Sequence, residues 1–475
     1  MNFITQLGSL AIFQFLLEPL QYFSISRIGI LPGNYLGRLL SMFLVALLLT
    51  SKQGLNVLVK SFRIIFTTYP YAPFSWLTII AAIPPLFLLN GTLLFRYSII
   101  EPLTNICYLA ILTVLPSLIV KPLQLLNLSR IFYSYLFVIL AIGYIDFLCS
   151  SFGVTFLGRT LFEPIDIGIR FHSLFAEPRD YAVACIYLLA FASVLNLSTH
   201  SLFRLPRFNR PSLRLFLLIS LFISLPLTYS SSFAIGFALS LLLLIVILGF
   251  RFILHFPMLS KITLFIILLL TLLIVVVTSV HPGILFGNRV GVTYDALVSL
   301  LSSTDYFSIV KILSNTPLLS PQASTFMPII KFFHDINSQN PLITLFGYGH
   351  GGVNTLLSSF SFVDAEDINN SYAGLPRLLY ETGIAGTVAF SYMFASVVQR
   401  SLSLPHLQFK KRPRTFCLLL SVLLFSAYLA HRRQELFLYM GVLNCYLSSF
   451  SPPSNFINKN LGTQLKGISK IDVAL

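Results

Sequence analysis

Four glycines fall within six positions of LFGYGHGGVN, residues 345–354: Gly347, Gly349, Gly351 and Gly352. Glycines so dense let backbone N–H groups approach an anion such as phosphate, although a tight turn explains them equally well. His350 stands among them, either as a solvated loop histidine or as a proton acceptor. A second stretch, RFHSLFAEPRDYA (residues 170–182), packs Arg170, His172, Glu177, Arg179 and Asp180 beside an apolar run. Charges that close to hydrocarbon pair with one another or serve a site. Pro178 suits a first helical turn, so Glu177 reads either as an N-cap or as an acid–base group. A third stretch, GNRV at 287–290, carries Arg289, which by itself reads as an interfacial anchor. The fourth, DAEDINNSYAGLPRLLYETGIAG (residues 364–386), offers Asn370, Tyr372 and Arg377 ahead of another apolar run. Glu381 follows Arg377 by four residues, which puts the two on one helix face and within pairing distance. Gly383 and Gly386 then allow close helix packing.

The elements that must position these groups are apolar helices. The chain has 475 residues, 56% hydrophobic and 10% charged, with a mean hydropathy of +0.85. That balance excludes an ordinary soluble domain and predicts an all-α polytopic membrane protein. Residues 262–280 contain no charge, and that length crosses a hydrocarbon core of roughly 30 Å as a helix. About twelve spans are expected, centred near residues 15, 44, 84, 109, 141, 188, 222, 242, 271, 388, 422 and 442. The five cysteines lie in apolar stretches as small hydrophobes, so no disulfide or metal site is expected. Without a basic n-region and cleavage site, the N-terminus is expected to stay on the chain.

Orientation follows the lysines and arginines of the short loops. Taking alternate loops as cytoplasmic places nineteen of the 31 basic residues there, Lys52, Lys60 and Arg63 among them, and both termini with them. The net charge of +15 is then a topology signal and calls for no nucleic-acid partner. Two external segments result, 153–179 and a large loop at 280–377, within a single membrane domain. Long loops of this kind are functional. The external basic residues are ten arginines and two lysines. Arginine's planar fork holds phosphate bidentately, which suits an anionic ligand at the outer face. Pairing with external acids, or snorkelling to headgroups, explains the same bias.

Taken in order, the stretches resemble the Wzy-type O-antigen and exopolysaccharide polymerases of the O-antigen ligase/polymerase superfamily. The residues that carry the likeness are R-x-x-S-L-F-x-E-P at 170–178, Arg289, L-F-G-Y-G-H-G at 345–351, N-N-S-Y at 369–372 and L-x-E-T-G-I-x-G at 379–386. The resemblance implies a GT-C-like, metal-independent glycosyltransferase in the bacterial cytoplasmic membrane, with its active site facing outside and no cofactor. Its substrate would be an oligosaccharide on undecaprenyl pyrophosphate, moved as a block to a second lipid-linked unit within the bilayer; a chain-length regulator is a further implied partner. Catalytic roles would fall to Glu177, His350 and Arg289. Pyrophosphate or sugar contacts would fall to Arg170, Arg179, Arg377, Asn370, Tyr372, Gly349, Arg432 and Arg433. Ligases of the superfamily tend to have His-Asn where this chain has Asn369 and Asn370, which favours polymerase over ligase. A polysaccharide flippase or transporter is the alternative from another class.

Overall fold

The computed structural model describes residues 36–88, 96–120, 122–152, 178–202, 211–228, 320–336, 341–359, 374–402 and 435–450, with isolated positions near 7–11, 93–95, 154, 171 and 417–425. Among the described residues the structure is helical, without strands. The expected spans near 15, 242 and 271 lie outside them, as does most of 280–377.

In chain order the elements are α1 (Leu36–Leu49), α2 (Lys52–Thr67), α3 (Tyr71–Ile80), α4 (Ile83–Leu88), α5 (Arg96–Ile119), α6 (Pro122–Ser151), α7 (Pro178–Leu202), α8 (Pro211–Ser224), α9 (Ser320–Asp335), α10 (Pro341–Phe346), α11 (Gly352–Ser358), α12 (Gly374–Leu402) and α13 (Glu435–Phe450). Two helical stretches are long and apolar enough to cross a membrane, α5 and Ile131–Ser151 of α6. A third span results if α2 and the segment Tyr71–Phe87, bent by 84°, count as one. Two features differ from the sequence reading. The segment with Lys52, Lys60 and Arg63 is not a loop but the sixteen-residue helix α2, capped by Ser51, whose hydroxyl accepts from Gly54 N–H at 2.9 Å. The expected span near 84 is broken at Ala81–Ala82, where Pro84 and Pro85 remove the N–H groups that would continue α3.

Prolines also shape α5. Its helix widens to π pairing at Arg96–Ile100 and again at Tyr108–Val114, each just ahead of a proline, Pro102 and Pro116. Each proline ring displaces the carbonyl four residues back, and the ladder absorbs this by reaching five. Glu101 N–H accordingly donates to Arg96 O, and Leu115 N–H to Ala110 O.

The core sits where α3, α5, α12 and α13 meet. Phe390 contacts Phe74 and Phe437, with ring centroids 5.0 and 5.8 Å away. Polar groups tie α2, α3, α5 and α13 together, since a hydroxyl inside an apolar bundle must find a partner. Ser61 donates to Ala110 O at 2.7 Å, Thr113 to Phe437 O at 3.0 Å, Asn444 Nδ2 to Thr113 O at 3.0 Å and Tyr71 to Asn444 Oδ1 at 3.1 Å. The five cysteines are free thiols.

Candidate functional site

The described site is a buried ionic cluster built by four separate parts of the chain. Arg377, on the first turn of α12, lies 2.8 Å through Nε from Glu381 Oε1 and 3.1 Å through an NH2 nitrogen from Glu101 Oε1. The same nitrogen donates to Glu101 Oε2 at 3.2 Å. His350 Nδ1 faces Glu381 Oε2 at 3.4 Å, and His350 Nε2 reaches Thr78 O at 3.0 Å. All four of these residues are at most 6% exposed. A carbonyl only accepts, so Nε2 carries the hydrogen toward Thr78. The Nδ1–Glu381 contact is then favourable only with a proton between them. The guanidinium set against two carboxylates compensates charge that would otherwise be costly to bury.

The glycine loop closes over this cluster. Gly383 has φ 66° and ψ −166°, a region open only to glycine, so α12 kinks there. Just ahead of the break, the Tyr380 and Glu381 carbonyls accept from Tyr348 and Gly349 N–H, both at 2.9 Å. Gly347 N–H donates to Ile343 O at 2.7 Å, His350 N–H to Ala81 O at 2.9 Å and Gly351 N–H to Glu381 Oε1 at 3.0 Å. Tyr348 stacks on Tyr380 with centroids 4.5 Å apart.

Three readings of the sequence change accordingly. The expected anion cradle is a capping loop: the N–H groups from Gly347 to Gly351 are all donated to protein acceptors, and a Cβ on Gly349 would meet Pro84 at 2.8 Å. That leaves Gly349 no face for sugar or phosphate. His350 is not a solvated loop residue, because it is 3% exposed and bonded at both ring nitrogens. Gly383 adds a kink to the expected close packing, since a Cβ there would press on the Leu345 carbonyl of α10. Arg377 is matched to two carboxylates, Glu381 as the spacing suggests and Glu101 besides. Of the other sequence candidates, Arg170, Glu177, Arg289, Asn370, Tyr372, Arg432 and Arg433 lie outside the described residues. Arg179 falls on α7, with its side chain outside them.

The residue missed was Glu101. Its signal was present, since an acid at the head of an apolar run is costly unless it has a partner. Arg96 is its exposed neighbour on α5, with the guanidinium 5.3 Å from the Tyr97 ring centroid.

Donor atoms of Glu101, His350 and Glu381 lie within 4.8 Å of one another, and two carboxylates with an imidazole suit a divalent transition metal. Arg377 already contacts both carboxylates at 2.8–3.1 Å, so a dication would have to displace its guanidinium. The arrangement fits a guanidinium as its cation and does not fit a metal.

Beyond the cluster, Asp335 at the end of α9 receives Lys331 Nζ at 2.7 Å and His334 Nδ1 at 2.8 Å, and Tyr348 OH reaches it at 3.4 Å. Partial burial pushes the carboxyl up, but the bonds from Lys331 and His334 outweigh it and hold Asp335 below its usual range. A depressed folded value stabilises above the unfolded value of roughly 3.9 and is lost as pH falls through the folded one. Hydrogen exchange at residues 331–336 and 341–348 is therefore expected to quicken as pH drops below about 4, with corrections made for intrinsic exchange. Asp335→Asn should flatten that dependence; an unchanged profile would remove the pairing from the account.

No protein-family model matches the chain, and no curated protein matches it.

Proposed function

We propose that the chain is a polymerase that joins lipid-linked oligosaccharide repeat units outside the bacterial cytoplasmic membrane, with about twelve spans and both termini in the cytoplasm. The donor is a glycan on undecaprenyl pyrophosphate, transferred as a block to a second such unit. With no nucleotide sugar outside, the lipid diphosphate is the leaving group, and arginines at headgroup depth stabilise its charge as the glycosidic bond breaks.

One observation supports the reading best. Two of the stretches that carry the family likeness, 345–351 and 379–386, form one unit through Tyr348–Tyr380, Gly349–Glu381 and Gly351–Glu381 bonds. Motifs read separately in the sequence thus lie together in space, as a shared site would require. In this proposal the cluster is its floor, and the diphosphate meets Arg170, Arg179 and Arg289 together with the exposed Arg96. Glu177 is the group that accepts the acceptor hydroxyl's proton. A flippase is the second reading, favoured by the buried Glu101–Arg377–Glu381–His350 array, because ionisable groups inside a bundle often mark a transport path.

Purified protein in liposomes, given one lipid-linked repeat unit as sole substrate, is expected to produce a ladder of longer glycans. Glu177→Gln should slow the ladder about 100-fold or more while the donor still binds. Intact units crossing the bilayer without lengthening would favour the flippase, and product only when a separate acceptor is added would favour a ligase.

A further inference from the structure

We infer that α2 is an interfacial helix whose basic stripe binds the phosphate headgroups of anionic phospholipids. Three faces carry the inference, and at 100° per residue they divide the helix cleanly. Gly54, Leu58, Ser61 and Ile65 form the face buried against the protein, fixed by the Ser61 bond to Ala110 O. Lys52, Asn56, Lys60, Arg63 and Thr67 form an exposed polar stripe roughly 22 Å long. Leu55 and Val59, 43% and 57% exposed, line the third face beside it. The helix contains no acidic residue, and no carboxylate among the described residues pairs with Lys52, Lys60 or Arg63.

An acidic soluble partner would match the stripe but leave Leu55 and Val59 in water. A bilayer satisfies both faces at once: acyl chains cover the apolar edge, and headgroup phosphates lie at the adjoining height, within reach of lysine and arginine stems. Anionic lipid adds charge complementarity that a zwitterionic headgroup lacks. The apolar edge continues past the bend. Trp76 on α3 donates from Nε1 to Phe66 O at 3.2 Å, lies edge-on to the Phe66 ring and is 54% exposed. It therefore sits one turn beyond Arg63.

Trp76 is the chain's one tryptophan, so its fluorescence reads the lipid at this place without a label. The test uses the full chain in phosphatidylcholine liposomes containing phosphatidylglycerol, with bromine on the acyl chains of one lipid or the other at equal content. Brominated phosphatidylglycerol is expected to quench Trp76 as though enriched roughly five-fold over its bulk fraction. High salt should erase the excess. Lys60→Gln with Arg63→Gln should also erase it, while brominated phosphatidylcholine still quenches and so shows the helix in place. Equal quenching by the two lipids overturns the inference, as does an excess that survives the double substitution. Failure of either lipid to quench means that protein covers the apolar face, and it overturns the inference too. None of these outcomes depends on glycan transfer.

Discussion

Arg377→Leu is expected to cost about 3–5 kcal/mol, enough to leave much of the protein unfolded in detergent. The leucine removes the cation held 2.8 Å from Glu381 and 3.1 Å from Glu101, leaving two buried carboxylates facing each other. Mutual attraction in such a triad barely exceeds the desolvation of its members, so the damage comes from what is left behind rather than from a large bond lost. This leads to a sharper expectation. Adding Glu101→Leu and Glu381→Gln to Arg377→Leu should recover most of the stability, because the uncompensated charges go while residue 381 still accepts from Gly351 N–H. Arg377→Lys should fall between, since one ammonium cannot span both carboxylates as a planar fork does. Thermal unfolding followed by size-exclusion chromatography reads all three. If Arg377→Leu is as stable as the parent yet inactive with lipid-linked substrate, the guanidinium contacts the diphosphate and the scaffold role is wrong.

How much of this could be read beforehand depends on sequence separation. The Arg377–Glu381 pair was legible because helical periodicity alone puts residues four apart on one face. The Arg377–Glu101 bond joins residues 276 apart, and no local pattern encodes it. The apolar helices α5 and α6 announced themselves by length and composition. Helix α2 did not, since Lys52, Lys60 and Arg63 look like loop charges until the buried positions Leu58, Ser61 and Ile65 show a 3.6-residue period. The glycine loop misled for a chemical reason. A backbone N–H suits a phosphate oxygen and a peptide carbonyl equally well, and which one it meets depends on whether a nearby helix has carbonyls to be capped. Here Gly383 supplies the break, 31 residues downstream of Gly352, and the loop and the kink are legible only as a pair.

That pairing makes Gly383→Ala the second large effect expected. A residue with φ 66° and ψ −166° lies where side-chain-bearing residues are almost never found, at a cost of about 1–3 kcal/mol. Here the new Cβ would also lie 2.6 Å from Gly347 N and against the Leu345 carbonyl, both backbone atoms with no rotamer to yield. The cheapest escape is for α12 to straighten through residue 383 into a regular helix, which alanine favours over glycine by about 1 kcal/mol. Straightening would return the Tyr380 and Glu381 carbonyls to the helical ladder, leaving Tyr348 and Gly349 N–H without acceptors. The loop would then detach, taking His350 from Thr78 and Gly351 from Glu381. Protease cleavage and hydrogen exchange within residues 345–352 are therefore expected to rise at least ten-fold, equivalent to about 1.4 kcal/mol of lost protection, while α5 and α6 stay protected. Gly352→Ala provides the comparison, since its Cβ would meet only side chains, at 3.0 Å or more, and its exchange should stay near that of the parent. Equal protection in Gly383→Ala and the parent would mean that the loop is held by something other than the kinked carbonyls, and the cluster would lose its lid as an explanation for its burial.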